Sequence, residues 1–187
     1  MKFFTTEESK LWCEARGLQV TPDRYLHYEL DKSHCFTVPL EEKPSRVIAL
    51  ADYFVPTWAE VPFEGALVWI RERGIWGEYS ETTGSMIVEQ MRLANGEREP
   101  VETRPGHLFE PSELVQMHSY VVVPMLFGWD AFVVPQSGDY FIFVSHDGVA
   151  AIVARTADKV NGLWQRVQSW NPKEDKSWYP RIASSQR

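Results

Sequence analysis

Four polar residues have the side-chain types that catalysis and metal binding use: His107, His118, His146 and Asp147. The adjacent pair His146-Asp147 is chemically the most interesting, since an imidazole beside a carboxylate can polarise a water or hold a metal. The same pair precedes Gly148 and lies between two apolar runs, Tyr140 to Val144 and Val149 to Ala154. Asp-Gly between such runs is a strong hairpin signal and predicts a type I′ turn with positive φ at both central residues. Turn chemistry accounts for Asp147 and Gly148 without any function. Neighbouring strand residues also point to opposite faces, which works against a shared site.

His107 and His118 could join His146 as metal ligands, but no two of the three have a recognised ligand spacing. His118 falls on the apolar stripe of a helix, and Glu113, five residues earlier, does not share its face well. Core or boundary histidines are the expectation. Nucleophiles fare no better. Ser137 in Gln-Ser-Gly lacks the glycine-flanked elbow of the hydrolases, and Cys13 sits among Trp and Glu, where its thiol pKa should not fall. Gly74, Gly77 and Gly84 form no phosphate-cradling motif with a lysine. The expectation is no catalytic, cofactor-binding or metal-binding residue. The alternative is a small-ligand-binding protein or enzyme that uses His107, His118, His146 or Asp147.

Aromatic residues are abundant, at 13% with eight Trp. Trp69, Trp76 and Trp129 are candidate partner contacts, because Trp is enriched at binding hot spots. Trp76, between Gly74 and Gly77, is a contact anchor if its ring is exposed there. The competing interpretation is core packing.

These residues need a frame. At 187 residues with 44% hydrophobic and 24% charged content, the chain can bury a core without staples. Thr5-Thr6-Glu7-Glu8 starts a helix over 6–16. Alternation over 24–30 and 34–40 predicts a β-hairpin. Pro44 opens a helix that Pro56 ends, with Val47, Ile48, Ala51, Phe54 and Val55 at helical spacing. Ala66 to Ile70 is a strand. Thr82 or Thr83 caps a helix carrying Met86, Ile87, Met91 and Ala94, and residues 97–107 are loop. A stripe from Leu114 to Leu126 predicts one helix kinked at Pro124; a helix followed by a strand over 120–123 is the alternative. From Trp129 to Trp170 the pattern is a three-stranded meander followed by a helix capped at Thr156.

The fold class that follows is α+β, a mostly antiparallel sheet with helices packed on it. One domain spans 1–170. A polar tail covers 171–187, docking back through Trp178 and Tyr179.

The strings Trp69-Ile70 with Gly74-Ile75-Trp76, Pro105-Gly106-His107-Leu108-Phe109, Leu126-Phe127-Gly128-Trp129-Asp130 and Phe143-Val144-Ser145-His146-Asp147 together resemble a family of uncharacterised bacterial proteins. The resemblance spans roughly residues 65 to 150 and implies no activity. The region Trp129 to Trp170 is also similar in architecture to the SUKH superfamily of bacterial immunity proteins. There too a small meander, with a turn beside an acidic residue, runs into a C-terminal helix. That resemblance implies a protein that binds and masks another.

Charge points the same way. The net charge is −7, and residues 41–113 carry 14 acids against 7 bases, while the flanking regions are nearly neutral. An acidic middle repels nucleic acid and anionic membrane and suits a basic protein partner. With two cysteines, Cys13 and Cys35, no signal-peptide pattern and no membrane-length apolar run, a cytoplasmic location is expected. A homodimer held by the aromatic patch is a further expectation.

Overall fold

The computed structural model describes residues 1–28, 34–55, 63–73 and 78–175, with the backbone alone over 78–82. The elements run β1 (Lys2–Phe4), α1 (Thr6–Glu14), β2 (Gln19–Val20), β3 (Leu26–His27), β4 (His34–Pro39), α2 (Pro44–Phe54), β5 (Ala66–Glu72), α3 (Glu78–Ala94), β6 (Gly106–Phe109), α4 (Leu114–Phe127), β7 (Asp130–Pro135), β8 (Tyr140–Ser145), β9 (Val149–Ala154) and α5 (Ala157–Arg166). Seven strands form an antiparallel sheet in the order β1-β6-β5-β7-β8-β9-β4; β2 and β3 make a separate ribbon. The fold is α+β.

Both faces of the sheet are covered. On one face Val68, Val133, Ile142 and Ile152 pack with Leu50 and Phe54 of α2, Val88 of α3 and Tyr120 and Val121 of α4. On the other, Leu67, Trp69, Phe132, Phe141, Phe143 and Val153 pack with Cys13 of α1 and Leu26 of the β2–β3 ribbon. Double burial explains why β7, β8 and β9 are near-continuous apolar runs, since neither side of the strand needs to meet water.

The meander β7–β8–β9 and the helix after it form as the local pattern indicates. Its second turn differs in kind. Ser145 pairs with Val149, so His146, Asp147 and Gly148 make a three-residue loop. Of the three, Gly148 alone has positive φ, at +77°. A helical-type turn closed by one left-handed residue joins the strands, in place of the two-residue type I′ turn.

The N-terminal third differs more. Residues of the expected 24–40 hairpin pair elsewhere: β3 with β2, and β4 with β9 in the register Val38↔Ala150. The alternation within 34–40 marks a true strand, but its partner lies more than a hundred residues away, which periodicity does not encode. The outer edge of β4 takes a single antiparallel bridge from Lys173 to Thr37, so the start of the tail docks through its backbone. Trp178 and Tyr179 lie outside the described residues. Gly106 and His107, the end of the 97–107 stretch expected to be loop, open β6, which has β5 on one side and β1 on the other.

α4 is a single helix through Pro124, not a helix and a strand. α3 turns an unexpected face inward. Gly84, Ser85, Val88 and Arg92 are buried, while Met86 and Ile87 face solvent. Gly84 is the reason for the close approach: a Cβ there would stand 2.6 Å from the Trp129 ring and 2.9 Å from that of Phe127. In α2 the same kind of exchange occurs, with Leu50 buried and Ile48 exposed.

Candidate functional site

His146 is held by a residue the sequence did not single out. A register shift in β5 between Ile70 and Glu72 leaves Arg71 out of the ladder. Such bulges re-aim a side chain, and Arg71 Nη1 donates to Asp130 Oδ2 at 2.7 Å and to Glu72 Oε2 at 3.0 Å. Asp130 opens β7, and its side chain is buried. Its Oδ1 accepts from the His146 backbone N–H at 3.0 Å and from His146 Nδ1 at 2.8 Å. The Arg71 guanidinium also bonds the Asp23 carbonyl and lies 4.0 Å over the Tyr25 ring. One carboxylate therefore joins the β5 bulge to the β8–β9 loop, and Arg71 extends the tie to the β2–β3 ribbon.

A carboxylate that orients an imidazole through Nδ1–H is the arrangement of a general base. Here the Nε2 of His146 faces Asp147 Oδ1 at 3.5 Å, a second acid rather than a hydroxyl or thiol to activate. His146 and Asp147 do approach each other, because both lie in the loop and not in a strand. The cluster reads as a clamp that closes this end of the sheet.

His107 is fully buried on β6. Arg92 Nη1 lies 2.6 Å from its Nε2, and the guanidinium also donates to the carbonyls of Arg104 (2.8 Å), Glu99 (2.8 Å) and Pro100 (3.4 Å). A guanidinium only donates, so Nε2 accepts and the ring is neutral. Burial, and after it the Arg92 charge, pushes the His107 pKa down to about 3. This is a structural pair that straps the 97–105 segment to α3. His118, on α4, lies with Nε2 3.0 Å from Asp52 Oδ1 of α2, close enough for an ion pair without hydrogen-bond geometry.

His107, His118 and His146 thus serve three separate contacts, with Arg92, Asp52 and Asp130. Among the described residues no group of three His, Cys, Asp or Glu side chains is arranged to hold a metal ion. Burial pushes the Cys13 thiol up to about 12, which makes it unreactive. Trp69 and Trp129 are fully buried in the cores on opposite sheet faces, so neither presents a ring to a partner. Trp76, with Gly74 and Gly77, lies outside the described residues.

What is exposed is the outside of the helix layer. α2 and α3 each pack on α4. Val115 is 66% exposed, Met86 60% and Leu93 50%, and Ile48, Ile87 and Leu126 are also open to solvent. On α4 the residues Val115, Ser119, Val122 and Leu126 follow one another at helical spacing and form one stripe. The helix has no Asp, Glu, Lys or Arg along its length. The helices beside it are different: Asp52 on α2 and Glu89 on α3 are exposed. Of the seven bases of residues 41–113, Lys43 and Arg98 are exposed and five are paired or buried. Arg46, Arg71, Arg73 and Arg104 pair with Glu41, Asp130, Glu102 and Glu97, and Arg92 is buried. Apolar spacing on α3 does not by itself tell that Met86 and Ile87 face solvent; the usable signal is the missing charge on α4.

No known protein family, curated protein or solved structure matches this chain. No helix among the described residues is long and apolar enough to cross a membrane.

Proposed function

We propose that this chain is a non-enzymatic protein-binding module that docks a basic, amphipathic partner on the outer face of α2, α3 and α4. The observation that carries the proposal is the uncharged stripe Val115-Ser119-Val122-Leu126, flanked by exposed Met86, Leu93 and Ile48 on helices that also bear acids. Isolated exposed apolar residues are ordinary, whereas several on adjoining helices mark an interaction surface. An apolar centre supplies affinity by burial, at about 1.5–3 kcal/mol for each large side chain fully covered. An acidic surround speeds encounter with a basic partner and disfavours acidic ones.

Charge selects the occupant. A second copy would bring acidic flanks against acidic flanks, a repulsion that a basic surface turns into attraction. An immunity-type role, in which the partner is a basic toxin masked by this face, is the form of the proposal closest to the architecture of residues 129–170. The His-based enzyme reading gains no comparable support, since the three histidines serve separate contacts.

The test is a matched capture from the native host at low and moderate salt, using the wild-type chain and Val115→Glu/Leu126→Glu as baits. The proposal expects a protein of basic isoelectric point that the wild type retains, that salt weakens, and that the variant loses. A partner held equally by both baits, or one that is acidic, would contradict it.

A further inference from the structure

A second feature is independent of the docking face. A cavity of about 210 Å³ opens where β5 begins and β7 turns into β8, between α2, α4 and α5. Its floor is apolar, built from Phe54 of α2, Met117 of α4, Leu163 of α5 and Val133 of β7. Charged side chains stand around it in two kinds. Glu64 precedes β5 and Asp139 precedes β8; Lys159 and Arg166 lie on α5, seven residues apart and so on one face of the helix.

These groups share one environment. Lys159 Nζ lies 5.1 Å from the centre of the Tyr140 ring at the cavity wall. Burial pushes the Tyr140 hydroxyl up to about 12, Arg166 draws it back and Asp139 raises it. Tyr140 is therefore a neutral hydroxyl at working pH, beside two cations and a carboxylate.

The volume equals roughly seven waters at ~30 Å³ each, too small for a nucleotide and below the ~300 Å³ at which drug-sized sites begin. Ligand sites combine an apolar lining with a few placed polar groups. Here the charged groups are of both signs around an apolar lining, with Lys159, Arg166 and Asp139 gathered about Tyr140, and Glu64 at the start of β5. We propose that this cavity binds a free aliphatic amino acid, with its carboxylate toward Lys159 and Arg166, its ammonium toward Glu64 and Asp139, and its side chain against Phe54, Met117 and Leu163. A plain carboxylate would leave the acids facing an unmatched ligand, and a plain amine would do the same to the bases.

Calorimetric titration of the full chain with L-leucine, isocaproate and isoamylamine separates the three requirements. Leucine should bind about tenfold or more tighter than either singly charged analogue, because charged hydrogen bonds are the strong ones. Lys159→Met and Glu64→Gln change side chains at the rim and leave the floor intact. Each should weaken leucine binding by about tenfold, with the circular dichroism spectrum unchanged. Val115→Glu, on the helix-layer face, should leave leucine binding as it is. Equal affinity for isocaproate and leucine would overturn the zwitterion assignment. Absence of binding by all three up to ~10 mM would overturn the site.

Discussion

His146 Nδ1 donates to Asp130 Oδ1 across 2.8 Å, and the same carboxylate holds Arg71 at 2.7 Å through its other oxygen. Three segments far apart in sequence meet on one buried acid. Removing the buried carboxylate charge leaves the largely buried Arg71 guanidinium with the exposed Glu72 as its counter-charge, which is costly. Asp130→Asn should therefore lower stability by about 3 kcal/mol. His146→Ala, which removes one hydrogen bond from a partly exposed ring, should cost about 1 kcal/mol. Urea unfolding of the two variants checks the order; an Asp130→Asn midpoint equal to wild type would show that the carboxylate is not the tie.

His107 makes stability depend on pH. In the folded chain its pKa is lowered to about 3, first by burial and then by Arg92. In the unfolded chain it titrates near the ordinary value of about 6.5. Between those values the unfolded state takes up a proton that the folded state refuses. The contribution is fully present above about pH 6.5 and is lost as pH falls toward about pH 3, with a slope of up to ~1.4 kcal/mol per pH unit. His107→Gln keeps an acceptor for Arg92 and removes the titration. Its stability between about pH 7 and pH 5 should fall less steeply than that of wild type. Parallel curves would contradict a neutral, buried His107.

Gly84 governs how closely α3 lies on Trp129 and Phe127. Gly84→Ala has a helix-propensity gain of about 1 kcal/mol, set against overpacking that typically costs 1–3 kcal/mol and is at the high end where rings cannot move. A Cβ 2.6 Å from the Trp129 ring puts the site there. The expected net loss is about 1–2 kcal/mol, read by thermal unfolding with the shift in Trp fluorescence. A stabilised Gly84→Ala would mean that α3 is free to move outward.

The parts legible in the sequence are those whose partners are local. Residues 129–170 combine adjacent strands, short turns and a capped helix, so pattern and pairing coincide. β4 was recognisable as a strand, yet its pairing with β9 depends on the whole fold. β6 has four residues and follows a polar, proline-containing stretch, so its place between β1 and β5 leaves no mark in composition. The inner face of α3 was hidden for a physical reason. Arg92 is buried by bonding carbonyls and His107, and Gly84 by lacking a side chain, so apolar spacing pointed to Met86 and Ile87 instead. In the sequence His146 stands out through its neighbour Asp147, while the residue that orients it, Asp130, lies sixteen positions away on another strand.

The docking face is tested most directly by methyl NMR of the full chain titrated with two idealised amphipathic helical peptides, one of Leu and Lys, the other of Leu and Glu. The basic peptide should shift the methyl signals of Met86, Leu93, Val115 and Leu126, added salt should weaken the effect, and Val115→Glu should abolish it. Shifts of equal size with the acidic peptide, or shifts confined to methyls away from α2, α3 and α4, would contradict it.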